Sequence, residues 1–358
     1  MSTERKVEFL SSPRTYAGQT QPVEVVETHF SWVFLTERFA YKMKKPLQQD
    51  VMDYRSMASR ARGCWNEVRL NRRLAPTVYL EVLPLGCAQD GSLVLGRRAQ
   101  RIVDWLVKMR RLPAARMLDR SVGDGTVSER DRRVLIELLA RFYTRAQPRA
   151  MRPAEYVRHV RARLDANLHA LRAADLSMDR AAVLQVIEQQ RRFVDSNIEL
   201  LGSRAARLIE GHGDLRPEHV YLGTRFDAAC VIDCLEFDAR LRRLDPLEEL
   251  AFLALECRRL GAEALGLSLV RGIQAAIADM PPESLMDFYR SHRALTRAKL
   301  AAWHLRDTHF PQRVRHWKQR ADSYLQDAFA FAQVALQARK SGPIPVSGRP
   351  DLRSAGLG

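Results

Sequence analysis

The sequence predicts a bilobal α+β fold, with a β-rich N-terminal lobe and a larger, mainly helical C-terminal lobe. Three observations predict it. Residues 1–112 carry short alternating apolar stretches broken by turn-like segments. Beyond Pro113 the apolar residues recur at spacings of three and four. A strand-rich interruption then falls inside the helical part, at 209–237.

In the first lobe, Val23–Thr28, Trp32–Leu35 and Phe39–Lys44 read as a three-stranded meander with short hairpin turns. A helix follows at Arg60–Leu74. Val78–Leu85, Ser92–Gly96 and Ile102–Arg110 are further strand candidates, and Leu112-Pro113 closes the lobe. In the C-terminal lobe, expected over 113–340, Leu135, Leu138, Leu139 and Phe142 fall on one helical face. Tyr156, Val160, Leu164, Leu168 and Leu171 form another. Helices are expected again at 178–201, 246–260, 263–278, 284–303 and 316–339. Residues 341–358 are rich in Gly, Pro and Ser and are expected to be a disordered tail. No internal repeat is present.

The 358 residues hold 58 Lys plus Arg against 42 Asp plus Glu, a formal charge of +16. The arginines are spread through amphipathic helices rather than gathered in a tail, which favours a solvated basic surface over a nucleic-acid site. No apolar run approaches the ~20 residues that cross a bilayer, and the N-terminus lacks the apolar core of a signal peptide. No membrane partner is expected. The five cysteines are scattered and odd in number, which predicts free thiols in a reducing cytoplasm. Cys230 and Cys234, with three residues between them, read as small core residues rather than metal ligands.

The chemistry concentrates in Glu210-Gly-His-Gly-Asp-Leu-Arg-Pro-Glu-His-Val-Tyr-Leu222 and Val231-Ile-Asp-Cys-Leu-Glu-Phe-Asp238. A polar loop bearing an Asp lies between short apolar strands, and a second Asp ends the next strand. Phosphoryl transfer needs such a pair, one carboxylate to orient the attacking hydroxyl and another to hold metal ions. Asp214 suits the first role and Asp233 the second. Glu236 and Asp238 read as solvated loop acids. Asp245, opening Asp-Pro-Leu-Glu-Glu-Leu-Ala251, reads as a helix cap.

His212-Gly213-Asp214 followed by Ile232-Asp233 resembles the catalytic and metal-binding loops of aminoglycoside phosphotransferases and related small-molecule kinases. The blocks Glu27–Leu35, Tyr41–Pro46, Glu67–Ala75 and Lys108–Pro113 resemble a poorly characterised bacterial subfamily of that group. The resemblance runs from about residue 5 to residue 260. It implies a protein-kinase-like fold, ATP as phosphate donor, Mg²⁺ as metal and a small-molecule acceptor. Such a kinase has a strand Lys on the α- and β-phosphates, fixed by a helix Glu. Phe39-Ala-Tyr-Lys42 matches that strand, with Ala40 leaving room for a purine. Glu67 is the expected partner of Lys42, and Lys44, on the same face, is the runner-up. His212 is expected to organise the catalytic loop rather than carry a proton.

The chain departs from that pattern at two places. His219 stands where these kinases place an Asn on the second metal, and imidazole prefers transition metals to magnesium. Three outcomes follow: one Mg²⁺ held through Asp233, a Mn²⁺-like ion on His219, or a nucleotide-binding pseudokinase with little turnover. No Gly-x-Gly-x-x-Gly covers the phosphates, so Thr28–Ser31 is expected to serve through its N–H groups and hydroxyls, Ser31 among them. No P-loop signature occurs, so no second nucleotide site is expected. Residues 129–175 hold eleven Arg against six acidic residues, which favours a neutral or anionic acceptor over a polycationic antibiotic.

Overall fold

The computed structural model describes residues 1–49, 52–96, 98–173, 178–306 and 314–337. The expected tail at 341–358, and the last two residues of the helix expected at 316–339, lie outside them. The described chain falls into two compact units, one of Met1–His159 with Ile198–Met280, the other of Val160–Asn197 with the described residues from Pro281 onward.

The first unit opens with α1 (Thr3–Ser11), β1 (Glu24–Glu27), β2 (Ser31–Leu35), β3 (Phe39–Lys44), the short pair β4 (Gln48–Gln49) and β5 (Met52–Asp53), and α2 (Met57–Asn71). β6 (Tyr79–Cys87), β7 (Leu93–Leu95) and β8 (Arg101–Arg110) follow. Six strands make one antiparallel sheet in the order β1-β2-β3-β8-β6-β7. The meander expected from the sequence is present, and β3 lies inside the sheet rather than at its edge.

Alternation along β3 decides what each face meets. Tyr41 and Met43 join Phe34, Leu85, Leu106 and Leu10 in one apolar cluster, to which α1 contributes Leu10. Ala40 joins Val107, Met109, Val82 and, from α2, Cys64 and Val68 in the other. Phe34, Leu85 and Leu106 have no exposed surface, and each such side chain contributes about 1.5–3 kcal/mol on burial. Lys42 and Lys44 share the Ala40 face, and therefore point at α2. Helix α1 was not expected from the sequence. It is capped by Ser2 and tied down by a buried ion pair, Lys6 Nζ to Asp104 Oδ2 at 2.7 Å. Arg60 of α2 grips the same Asp104 at 2.8 and 2.9 Å.

The first unit continues with α3 (Leu118–Gly123), α4 (Glu129–Arg145) and the start of α5 (Pro153–Ala173). A capping box of Ser128 and Asp131 starts α4. After α6 (Arg180–Ser196), which belongs to the second unit, come α7 (Ile198–Arg204), β9 (Ile209–Glu210), β10 (Val220–Tyr221), β11 (Cys230–Val231), β12 (Arg243–Leu244), α8 (Pro246–Arg259) and α9 (Glu263–Ala276). β9 pairs with β12 and β10 with β11, so the loops between them are clamped at both ends. The helix expected at 178–201 is two helices: the Asn197 side chain bonds the Phe193 carbonyl at 2.8 Å and ends α6. Asp245 caps α8, accepting from the Leu247 N–H at 3.0 Å, and also holds the buried Arg204 at 2.7 and 2.8 Å.

The second unit packs α6 with α10 (Glu283–Trp303) and α11 (Val314–Gln337). Phe193 stacks on Phe288 at 4.6 Å, and the Gln190 amide donates to Ser291 Oγ at 2.7 Å.

Candidate active site

Helix α2, strand β3 and the loop after β11 bring five charged side chains together. Lys42 Nζ lies 2.9 Å from Glu67 Oε1 and 2.7 Å from Asp233 Oδ1. Lys44 Nζ lies 2.6 Å from Glu67 Oε2 and also pairs with Glu236, which accepts a hydrogen bond from Tyr54 Oη at 3.0 Å. Glu67 therefore holds both lysines, one on each oxygen. Burial opposes charge on all three groups, but their mutual attraction, with that of Asp233 and Glu236, outweighs it. Both lysines are held above the usual lysine range and Glu67 below the usual carboxylate range. The Lys44 side chain is 1% exposed and that of Lys42 14%. Glu236 was expected to be a solvated loop acid, and Asp238 likewise. Instead Glu236 is drawn in by Lys44, and Asp238 is buried, its carboxylate gripped by Arg240.

Asp233 adopts a left-handed backbone, φ 62°. This conformation is uncommon for a residue with a Cβ and tolerated best by Asn and Asp. The Tyr79 hydroxyl accepts its N–H at 3.0 Å, and the next N–H, of Cys234, reaches Asn71 Oδ1 at 2.9 Å. The strained residue is thus fixed from α2 and β6, and its carboxylate, 45% exposed, faces Lys42. Burial would raise the Asp233 pKa, but Lys42 and then His219 keep it well below the usual range. Tyr79 lies outside the blocks singled out in the sequence, and Asn71 lies inside Glu67–Ala75 without having been given a role.

The loop from β9 to β10 carries the remaining groups. Gly213 has φ 90°, and a Cβ there would meet Leu235 Cδ1 at 2.9 Å, so only glycine fits. Its N–H donates to Glu249 of α8. His212 Nε2 donates to the Ile232 carbonyl at 2.9 Å, leaving Nδ1 to accept the Asp214 N–H at 3.3 Å. Protonating Nδ1 would set two N–H groups against each other. Burial, helped by neighbouring His219, pushes the His212 pKa down to about 3. His212 therefore stays neutral and pins the Asp214 loop to the backbone just before Asp233.

A pH prediction follows. The folded pKa lies below the ~6.5 of an unfolded His, so the stabilisation is complete above that value and is lost as pH falls toward 3. Relative to His212→Gln, the unfolding free energy of the native protein should fall by up to ~1.4 kcal/mol more per pH unit below 6. Denaturant unfolding at pH 6.5, 5.5 and 4.5 measures it, and equal slopes would show that the imidazole is not held neutral.

His219 sits between the two aspartates, Nδ1 3.6 Å from Asp214 Oδ2 and Nε2 3.6 Å from Asp233 Oδ2. Its Nδ1 also lies 2.8 Å from the Asp214 carbonyl, and Arg216 Nη2 lies 3.0 Å from Nε2. A guanidinium only donates and a carbonyl only accepts, so the two partners select the Nδ1–H tautomer. Arg216 Nε donates to Asp214 Oδ2 at 3.1 Å as well. Sequence reasoning missed Arg216, although it lies inside the motif.

Ala40 sits in the apolar cluster with Val107, Met109 and the partly buried Ile232. Ser31 is buried, and its N–H donates to Thr28 Oγ1 at 3.0 Å, committed within the turn that was expected to cradle phosphates. All five cysteines are free and buried, and burial pushes the Cys234 thiol up to about 12. Among the described residues no three His, Cys, Asp or Glu side chains converge as a ready-made metal cage. Magnesium does not need one, since it commonly takes one or two carboxylates beside substrate phosphates. The half-exposed Asp233 fits that requirement. His219 does not, because its Nε2 lone pair already faces Arg216.

The six-stranded sheet with its Lys–Glu pair, and the paired-strand loops bearing two aspartates, define the protein-kinase-like fold of the aminoglycoside phosphotransferases. Solved structures agree. The GDP and kanamycin complex of APH(2")-IIIa matches with a TM-score of 0.54 at 15% identity, over 92% of this chain and 99% of that one. A choline/ethanolamine kinase family protein from Mesorhizobium loti matches with a TM-score of 0.54 at 14% identity, over 94% and 99%. More particularly, the sequence is similar to uncharacterised proteins of Mycobacterium bovis and Mycobacterium tuberculosis, 33% identical over 282 residues, which is 78% of this chain and 54% of theirs. The chain thus spans about half the length of these relatives. No protein-family model matches it.

Proposed function

We propose that the chain is an ATP-dependent phosphotransferase acting on a hydroxyl of a small molecule. One observation carries the reading: the Lys42 ammonium lies within 3 Å of both Glu67 and Asp233, while the His219 ring sits 3.6 Å from an oxygen of Asp233 and of Asp214. Lys42, the more exposed lysine, takes the α- and β-phosphates, and Lys44 holds Glu67 and Glu236 behind it. Ala40 leaves space for the purine, and Ser31 shapes the turn over the phosphates. Asp233 holds Mg²⁺, which when bound would neutralise charge on the transferring phosphoryl group. The acceptor oxygen bonds to the γ-phosphorus, the bond to the β–γ bridging oxygen breaks, ADP leaves, and Asp214 receives the hydroxyl proton. The nucleotide in the aminoglycoside-kinase complex supports nucleotide binding by the same fold.

The basic balance of 129–175 favours a neutral or anionic acceptor. The five buried free thiols suit a reducing cytoplasm, and no helix among the described residues is long and apolar enough to cross a membrane. Neither nucleic acid nor a membrane is part of this reading. A second reading, a nucleotide-binding pseudokinase, is favoured by His219 and by Arg216 beside it, where a second metal would otherwise sit.

Calorimetric titration with ATP in Mg²⁺ and in Mn²⁺, beside an ADP-release assay over a panel of hydroxyl acceptors, separates the two. Binding with acceptor-dependent ADP release supports the transferase, whereas binding without release on any acceptor supports the pseudokinase. Lys42→Met should weaken ATP binding at least tenfold, as befits the loss of a charge-assisted contact worth ~1.5–3 kcal/mol. Unchanged ATP affinity in that variant would place the phosphates elsewhere.

A further inference from the structure

Behind the catalytic loop lies a cleft of about 360 Å³ whose lining includes Arg69, Arg73, Arg141, Arg145, Phe142 and Glu210. None of Lys42, Glu67, Asp214 or Asp233 lines it. Arg69 lies in the last turn of α2 and Arg73 just beyond it. Arg141 and Arg145 lie one turn apart on α4, so the pair on α4 faces Arg69 and Arg73 at and just past the end of α2. From this uncompensated concentration of guanidinium groups we infer a second binding site, for a small polyanion bearing two or more phosphate groups.

The charges do not cancel locally. Glu210 is the one carboxylate in the lining, and it is already taken by Arg242 and Arg149, both at 2.9 Å. The C-terminal ends of α2 and α4 offset roughly half a charge each, well short of four guanidinium charges. Arg69, Arg141 and Arg145 have no hydrogen-bond or ion-pair partner among the described residues. The like charges of Arg141 and Arg145, one helical turn apart, are mutually destabilising, and an oxyanion between them and the arginines at the end of α2 would relieve the repulsion. Arginine forks match phosphate oxygens two at a time.

Arg73 is held in place beforehand. It donates to the Leu70, Glu210 and Gly211 carbonyls at 2.9, 2.6 and 2.8 Å and lies over the Phe142 ring, 5.2 Å from its centroid, so it contributes its charge while the forks of Arg69, Arg141 and Arg145 remain for the anion. Because Arg73 covers that ring, the cleft offers charge rather than a stacking platform for bases. This favours a compact phosphorylated molecule over single-stranded nucleic acid. The volume lies at the small end of ligand pockets. Arg73 also touches the backbone immediately before His212, so an occupant would bear on the catalytic loop from behind.

Inorganic triphosphate is the probe. It could also enter the kinase site, so calorimetry is done on the full chain carrying Lys42→Met, with and without Arg141→Gln/Arg145→Gln. The Lys42→Met protein should still bind triphosphate, and the added pair should weaken that binding at least tenfold with the thermal transition preserved. Arg69→Gln, on the other helix, should weaken it too, which guards against a folding defect in α4. Unchanged affinity in the arginine variants would overturn the site, as would loss of all binding in Lys42→Met alone. A single-stranded oligonucleotide that binds more tightly than triphosphate and is released by the same arginine substitutions would overturn the small-anion assignment.

Discussion

Asp214→Asn should lower acceptor-dependent ADP formation by ~10²–10⁴-fold, the range over which positioned acid–base groups act, while ATP affinity changes less than threefold. Asparagine keeps the size of the side chain and an oxygen that can still accept from Arg216 Nε, now 3.1 Å from Asp214 Oδ2. The loop geometry set by the His212 and His219 contacts to the Asp214 backbone is independent of that side chain. What the substitution removes is the capacity to take a proton. A structural turn aspartate would tolerate the change with little loss of rate. Initial rates at saturating ATP and acceptor, beside ATP calorimetry, measure both quantities, and a rate within threefold of the native protein would remove Asp214 from the chemistry.

Much of the fold was legible because its elements announce themselves by period. The meander, α2 and the long apolar faces of α4 and α5 follow from alternation or from spacings of three and four, and Leu135, Leu139, Phe142, Tyr156, Val160, Leu164, Leu168 and Leu171 are all buried. Helix α1 was missed because its core contact is mainly Leu10, and one of its two buried residues is a lysine, Lys6. That lysine is buried because Asp104, nearly a hundred residues away, receives it. Local pattern holds no information about such a partner. The break at Asn197 was missed for a different reason: a single side chain competing for a helix carbonyl leaves the apolar spacing on either side intact.

The site was legible in outline and silent about its second layer. Period-two alternation places Lys42 and Lys44 on one face, so sequence alone could rank them but not divide their contacts. The structure divides them through Glu67, with Asp233 on the Lys42 side and Glu236 on the Lys44 side. Tyr54, Tyr79, Asn71 and Arg216 complete the arrangement through contacts that depend on the fold. Arg216 and Asn71 both lie in blocks singled out from the sequence, and Arg216 had the chemical signal. A cation two residues after the expected base, beside a His in place of Asn, alters the charge presented to any second metal.

Glu67→Ala should destabilise the protein by ~3–5 kcal/mol, the usual effect of removing one partner from a buried ion pair. Glu67 has no exposed surface and answers two ammonium groups at 2.9 and 2.6 Å. Without it, Lys44 keeps Glu236 and Lys42 keeps Asp233 as carboxylate partners, and the Lys44 ammonium stays buried. Lys44→Met/Glu67→Leu should recover part of the lost stability by removing both buried charges, yet it should not restore ATP affinity, because Lys42 would have no fixed partner on α2. The pH dependence has a defined sign. Attraction by Lys42 and Lys44 depresses the folded pKa of Glu67 below 4.5 despite its burial. Its stabilisation is therefore complete above that value and fades as pH falls through the folded one. Urea unfolding at pH 7 and at pH 4 measures both effects. A loss under ~1 kcal/mol at pH 7 would mean that water or the neighbouring acids replace Glu67, and that the lysine pair is positioned by the sheet alone.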